Sequence, residues 1–140
     1  MKQVKPVLTK VERSRTIEWL ESFAKAVRDR DYNAGRELMD DSCVGFGTVA
    51  ERVISLDELV EGQWRRVWGR TIGFAFDLDN AVIHTSDEFI VCCSMWQSEG
   101  IDKERGNYLR RGRSTIVLRV DGPELKGIHT HFSVLPGTRS

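Results

Sequence analysis

Few residue types in this sequence can do chemistry, and most of them stand late in it. His129 and His131 are two apart. On a strand that spacing puts both imidazoles on one face, where they could offer two ligands to zinc. A third ligand would need His84 or a cysteine to arrive by tertiary coincidence, so no metal is expected. The pair reads instead as polar lining of a pocket or of a subunit face. Arg113 and Thr115 alternate with Ser114, Ile116 and Leu118. Turned into a dry hollow, Arg113 would hook a carboxylate through two parallel bonds; turned outward it is a surface charge. Counted outward from Asp121-Gly122, Arg113 lies at a height similar to His129 and His131 across a hairpin. Three groups that favour anions would then share one site, provided the register keeps them on the inner face and a bulge near Pro123 does not shift it.

Aromatic and basic residues extend this candidate set. Trp64 and Trp68 are four apart, hence on one helical face. They suit core or dimer packing, or a pocket wall opposite Trp96 for a small apolar or aromatic ligand. Tyr108 lies inside a basic run, with five arginines and no acid over 105–119. Interleaved Arg and aromatic residues serve nucleic-acid binders. The run is equally well explained by edge protection, or by pairing with the stretch 29–61, which holds nine acidic and three basic residues. No nucleic acid is expected. The ligand-binding candidates are therefore Arg113, His129, His131, Trp64, Trp96 and Tyr108, with no catalytic residue and no cofactor assigned. Asp40 and Asp41 read as solvated carboxylates at a helix-to-strand corner. Nothing in the context of Cys92 and Cys93 marks a nucleophile, so they read as buried and inert.

The elements that must position these groups follow from periodicity. Residues 1–13 are Lys-rich with Pro6 and read as a loose arm. Ser14 or Thr16 can cap a helix carrying Ile17, Leu20, Phe23, Ala24 and Val27 on one face. A short second helix, 34–39, follows. Cys43 to Phe46 suits a strand that Glu51–Ile54 could pair with. Ser55 and Glu58 form a capping box for a third helix running to Trp68 and ending at Gly69. The period then becomes two, and strands are expected over 72–78, 81–85, 89–97, 108–120 and 125–134. Helices first and long antiparallel strands after them predict an α+β fold. Its curved, mostly antiparallel sheet forms a cone, with three helices on the concave side.

Composition limits the class of protein. A chain of 140 residues suits one domain, here 14–135 with a tail over 136–140. Lys+Arg and Asp+Glu are 21 each, which argues against polybasic membrane or DNA binding. No apolar run is long enough to span a bilayer, and the first residues lack the apolar stretch of a signal peptide. Three cysteines, two of them adjacent, point to a reduced, cytoplasmic protein. The late strands carry apolar residues on both faces, so the outer face is expected to form a homodimer.

The helix, its break at Arg30-Asp31-Tyr32, the second helix and Asp40-Asp41 before a strand resemble the opening of the nuclear transport factor 2-like, cystatin-like cone fold. Gly112-Arg113-Ser-Thr115-Ile-Val-Leu-Arg119, Asp121-Gly122 and Ile128-His129-Thr-His131-Phe-Ser133 are similar to the SnoaL-like branch. The closing His-x-His-x-Ser is also similar to the association domain of calcium/calmodulin-dependent kinase II. The resemblance covers roughly residues 14–135 and departs at Pro123-Glu124-Leu125, where these relatives commonly carry a Trp. It implies a cone with a ligand hollow. The isomerase branch needs a carboxylate base and a Tyr–Asp oxyanion hole. Here the Tyr position falls on Phe23 and the base position near Phe46, so that machinery does not carry over. The expected function is binding of an unidentified small molecule in the cone. The alternatives are a dimerisation or assembly module, and a weak lyase, isomerase or hydrolase.

Overall fold

The computed structural model describes residues 10–139. Helix α1 is Lys10–Asp29 and α2 is Tyr32–Glu37. Strand β1, Met39–Phe46, precedes a continuous helical segment over residues 56–70, here called α3. Five strands follow: β2 Thr71–Phe76, β3 Val82–Thr85, β4 Phe89–Gly100, β5 Tyr108–Asp121 and β6 Glu124–Val134. The order in the sheet is β1-β6-β5-β4-β2, with β3 also paired to β4. All pairings are antiparallel except β1 with β6, which is parallel. The expected α+β cone is thus present, a curved mixed sheet with its helices packed on the concave face.

Several boundaries differ from expectation for physical reasons. Helix α1 starts at Lys10, so residues 10–13 belong to it; the rest of the expected arm lies outside the described residues. Thr16 is fully buried inside α1 and donates back to the Glu12 carbonyl at 2.9 Å. It is therefore a back-bonding helix residue rather than a cap. Asp31 caps α2 by accepting from the Ala34 amide at 3.0 Å. Helix α2 ends before Met39, and Asp40 and Asp41 belong to β1. Of 51–54 only Val53 pairs with β1, through an isolated bridge to Gly45. The Ser55 arm of the capping box forms, its Oγ accepting from the Glu58 amide, while Glu58 reaches one residue further back and accepts from the Ile54 amide.

Helix α3 contains a π turn at Val60–Trp64. Leu59, Val60, Gln63, Trp64 and Trp68 of this helix are all buried. The layers close on Phe23 of α1. Its ring stacks with Trp19 and Phe132 and meets Trp64 and Trp68 edge-on, with centroids between 5.4 and 6.0 Å. Gly112 on β5 makes room for the neighbouring indole, since a Cβ there would lie 2.3 Å from Trp96 and 2.1 Å from the Ser133 carbonyl.

The β5–β6 hairpin turns at Gly122, whose φ of +59° suits glycine, and Asp121 faces Glu124. Leu118 pairs with Gly127, but Val117 pairs with His129. Ile128 is therefore an extra residue, a bulge well away from Pro123. The bulge reverses the faces of everything after it. Thr130 is turned into the cone, and His129 and His131 are turned out beside Thr115 and Val117.

On the outer side, Asp40 is tied across β6 to Arg119 at 2.9 Å, and Arg119 also holds Asp121 at 2.8 Å. Asp40 is thus a paired strand residue rather than a solvated turn. Hydrogen bonds from the Ser42 hydroxyl and from Arg119 lower its pKa from 3.8 to about 2. A carboxyl depressed in the folded state adds stability above its unfolded value and loses it as pH falls. Unfolding free energy should therefore decline between pH 3.8 and about 2. Asp40→Asn should lose up to about 1 kcal/mol at neutral pH, the range for an exposed pair, and should lack that part of the acid slope in urea titrations at several pH values.

Candidate functional site

The cone is nearly filled by its own aromatic side chains. A hollow of about 50 Å³ remains, lined among others by Phe23, Trp64, Trp96, Phe132, Thr130 and Arg110. That is room for roughly three to five water-sized spheres, and not the several hundred Å³ of an open binding cavity. No Asp, Glu, His or Cys is among its lining residues. Arg110 is the charged group.

Parity explains this. The even-numbered residues of β5, from Arg110 through Gly112, Ser114 and Ile116 to Leu118, are all buried on the inner face. Arg113 is odd, exposed, and paired with Met95 and Ser133 on the outer face. The expectation that Arg113 lines the cone is therefore corrected, because the fully apolar pair Ile116 and Leu118 takes the core side. His129 and His131 also stand on the outer face, next to Arg113's row. Their rings are edge-on to Phe46 at 5.2 and 5.5 Å, and His129 Nδ1 donates to the Val44 carbonyl at 2.8 Å. The three anion-favouring groups do share a face, but it is the face away from the hollow. Cys93 is exposed on that side while Cys92 is buried, with burial pushing the Cys92 thiol up to about 11.

Trp64 and Trp96 do line the hollow. Trp64 stacks on Trp68 at 4.5 Å, and the Trp96 indole donates to the Arg113 carbonyl at 3.1 Å. Tyr108 lies outside the hollow, in an open groove of about 600 Å³ at the cone's mouth, with the Arg139 guanidinium 4.0 Å above its ring. Arg110 lines both spaces. The basic run and the acidic stretch meet less than expected, since Asp40–Arg119 is the ion pair formed between them among the described residues.

Arg110 has unusual surroundings. It is 6% exposed, and its guanidinium lies 5.5 Å from the Trp96 ring. It makes no hydrogen bond or ion pair among the described residues, and its Nε is fully buried without an acceptor. Directly opposite on β4 is Ser98, also buried, whose Oγ has no partner. Burial lowers the Arg110 pKa, yet guanidinium stays charged at neutral pH. Two adjacent buried polar groups without partners are rare in native folds and costly. Of the two, Arg110 lines the aromatic-walled hollow and Ser98 does not, so the charged group open to an anion there is the Arg110 guanidinium. The sequence signal for Arg110 was its parity with Ile116 and Leu118; Ser98 carried none.

One wall of the hollow is a short loop held by Gln63. Gln63 Oε1 accepts from the amides of Val49 at 3.1 Å and Ala50 at 2.8 Å, while Nε2 donates to Thr48 Oγ1 at 3.1 Å. The π turn brings this amide inward beside Trp64.

The family model for the SnoaL-like domain matches residues 17–136. Among solved structures, a putative calcium/calmodulin-dependent kinase II association domain from Xanthomonas campestris is 14% identical, with a TM-score of 0.76 over 98% of this chain and 96% of that one. An NTF2-like protein from Pseudomonas putida is 22% identical, with a TM-score of 0.74 over 91% and 89%. A ketosteroid isomerase-like protein from Erwinia carotovora is 16% identical, with a TM-score of 0.74 over 91% and 98%. No curated protein matches the sequence.

Because Gln63 satisfies two part-buried loop amides at once, Gln63→Ala should cost about 1 kcal/mol, the net worth of a typical hydrogen bond. Hydrogen exchange at the Val49 and Ala50 amides should accelerate, while amides in the centre of β5 change only with global stability.

Proposed function

The chain belongs to the SnoaL-like domain family, and from that premise we propose that its cone binds a small organic carboxylate held by Arg110. The observation that carries this reading is Arg110, 6% exposed, lining the hollow, and without a hydrogen bond or ion pair among the described residues. A carboxylate in the hollow would accept charge-assisted bonds from the guanidinium, supplying acceptors the fold leaves out. The hollow of about 50 Å³ suits the head group, and Phe132 and Trp96 give its first carbons an apolar wall. With no carboxylate, imidazole or thiol among the lining residues, the reading is binding rather than acid–base turnover.

Arg110→Met tests this directly. Removing an unpaired buried charge should raise the urea midpoint of the free protein. The variant should also lose the thermal shift that the wild type gives with butyrate or hexanoate, a loss of roughly tenfold or more in affinity for a charge-assisted contact. The response should stay flat between about pH 8 and 6, the range of histidine titration, because His129 and His131 face away from the hollow. A wild-type protein unmoved by every carboxylate, or an Arg110→Met variant that responds equally, overturns the proposal.

The outer sheet face supports a second reading, a homodimer. Val82 (51% exposed), Phe89, Phe46 and Met95 lie on that face beside Val91 and Val117, an apolar surface of the kind that marks protein contacts. Sedimentation should give twice the 16.0 kDa chain mass. Met95→Glu should return a monomer with its melting temperature nearly unchanged.

A further inference from the structure

The open groove outside the cone has a composition that the carboxylate reading does not require. Arg66, Arg70, Lys103, Arg110 and Arg139 line it, and no Asp or Glu does. Arg139 is neutralised by Asp102 at 2.7 Å and lies flat on Tyr108. Arg66, Arg70 and Lys103 make no ion pair among the described residues. Arg66 and Arg70 close helix α3, where basic residues also meet the helix's carbonyl end. That accounts for neither Lys103, which comes from the β4–β5 connection, nor Arg110 on the groove's floor. Arg110 is more than nine-tenths buried, makes no hydrogen bond or ion pair among the described residues, and belongs to both the groove and the hollow. A molecule anchored on Arg110 therefore has its outer end among three uncompensated cations.

We propose that this groove is a second anion subsite, so that the ligand carries two separated anionic groups, as a dicarboxylate or a phosphorylated carboxylic acid does. The inference rests on the Arg110 reading and adds the ligand's second charge to it. One carboxylate lies on Arg110 in the hollow. The second group lies between Arg66, Arg70 and Lys103, partly in water, where attraction is weaker and screened by salt. The apolar side chains of Val49, Val67 and Ile101, also in the groove, suit the carbon chain between them.

The test pairs linear dicarboxylates from succinate to suberate with monocarboxylates of equal carbon number, measured by isothermal titration on the full chain. At one chain length the dicarboxylate should bind about tenfold more tightly, the yield of two partly screened ion contacts. The advantage should shrink at high salt. Arg66→Ala with Arg70→Ala should abolish it and leave monocarboxylate affinity within about twofold, since neither side chain contributes to the core. If monocarboxylates bind and no dicarboxylate binds better, or if the double variant keeps the advantage, the second subsite is wrong while the Arg110 reading stands. If neither series binds to the wild type, both are wrong.

Discussion

Phe23 stands where α1 crosses the sheet, and both layers of the fold close on its ring. Trp64 and Trp68 reach it from α3, Phe132 from β6, and Trp19 stacks on it from the preceding turn of its own helix. Such contacts add to ordinary burial because offset and edge-on rings align opposite regions of charge. They also occupy the volume at the middle of the cone. What remains open is displaced toward the rim, where β4 and β5 end and Arg110 and Ser98 face each other. The hydrophobic packing therefore decides where polar chemistry can occur, and it leaves that chemistry one charged group.

That group is held at an energetic disadvantage. A buried guanidinium without acceptors forfeits its hydration, and the Trp96 face returns part of this through attraction to the ring. Two exposed arginines are differently treated: Arg139 has Asp102, and Arg119 has Asp40 and Asp121. A guanidinium buried without a hydrogen bond or ion pair among the described residues carries an electrostatic cost that an exposed arginine does not, and binding energy is most readily gained there.

Much of this was legible in the residues. The helical stripe from Ile17 to Val27, the Ser55–Glu58 capping box and the change of period after Gly69 specify the layers, because each is a local rule that tertiary packing reinforces. The site was less legible. Choosing between Arg110 and Arg113 requires knowing which parity of β5 is buried, and Thr115 and Val117 are apolar enough to blur the contrast with Ile116 and Leu118. The histidines depend on the bulge at Ile128. Gly127, an isolated glycine inside the strand, is the kind of residue that marks a bulge, but which way the following side chains turn appears only when the register of β6 is followed on both sides of it. The π turn in α3 is silent, since burial of 59/60, 63/64 and 67/68 looks like an ordinary wide helical face.

The bulge at Ile128 also bears on how this chain should be compared with others. Two strands of equal length and similar hydrophobic pattern can be matched residue for residue across their whole extent and still disagree about which side is inside, if one has an inserted residue. A relative whose final strand runs without interruption would set its inward side chains against His129 and His131, and its outward ones against Thr130 and Phe132. A role transferred by position beyond 128 would then land on the wrong side of the sheet. A gap of one residue there restores the correspondence, and equivalences in the last strand of this fold are better drawn from the hydrogen-bonded partner on β5 than from the count along β6.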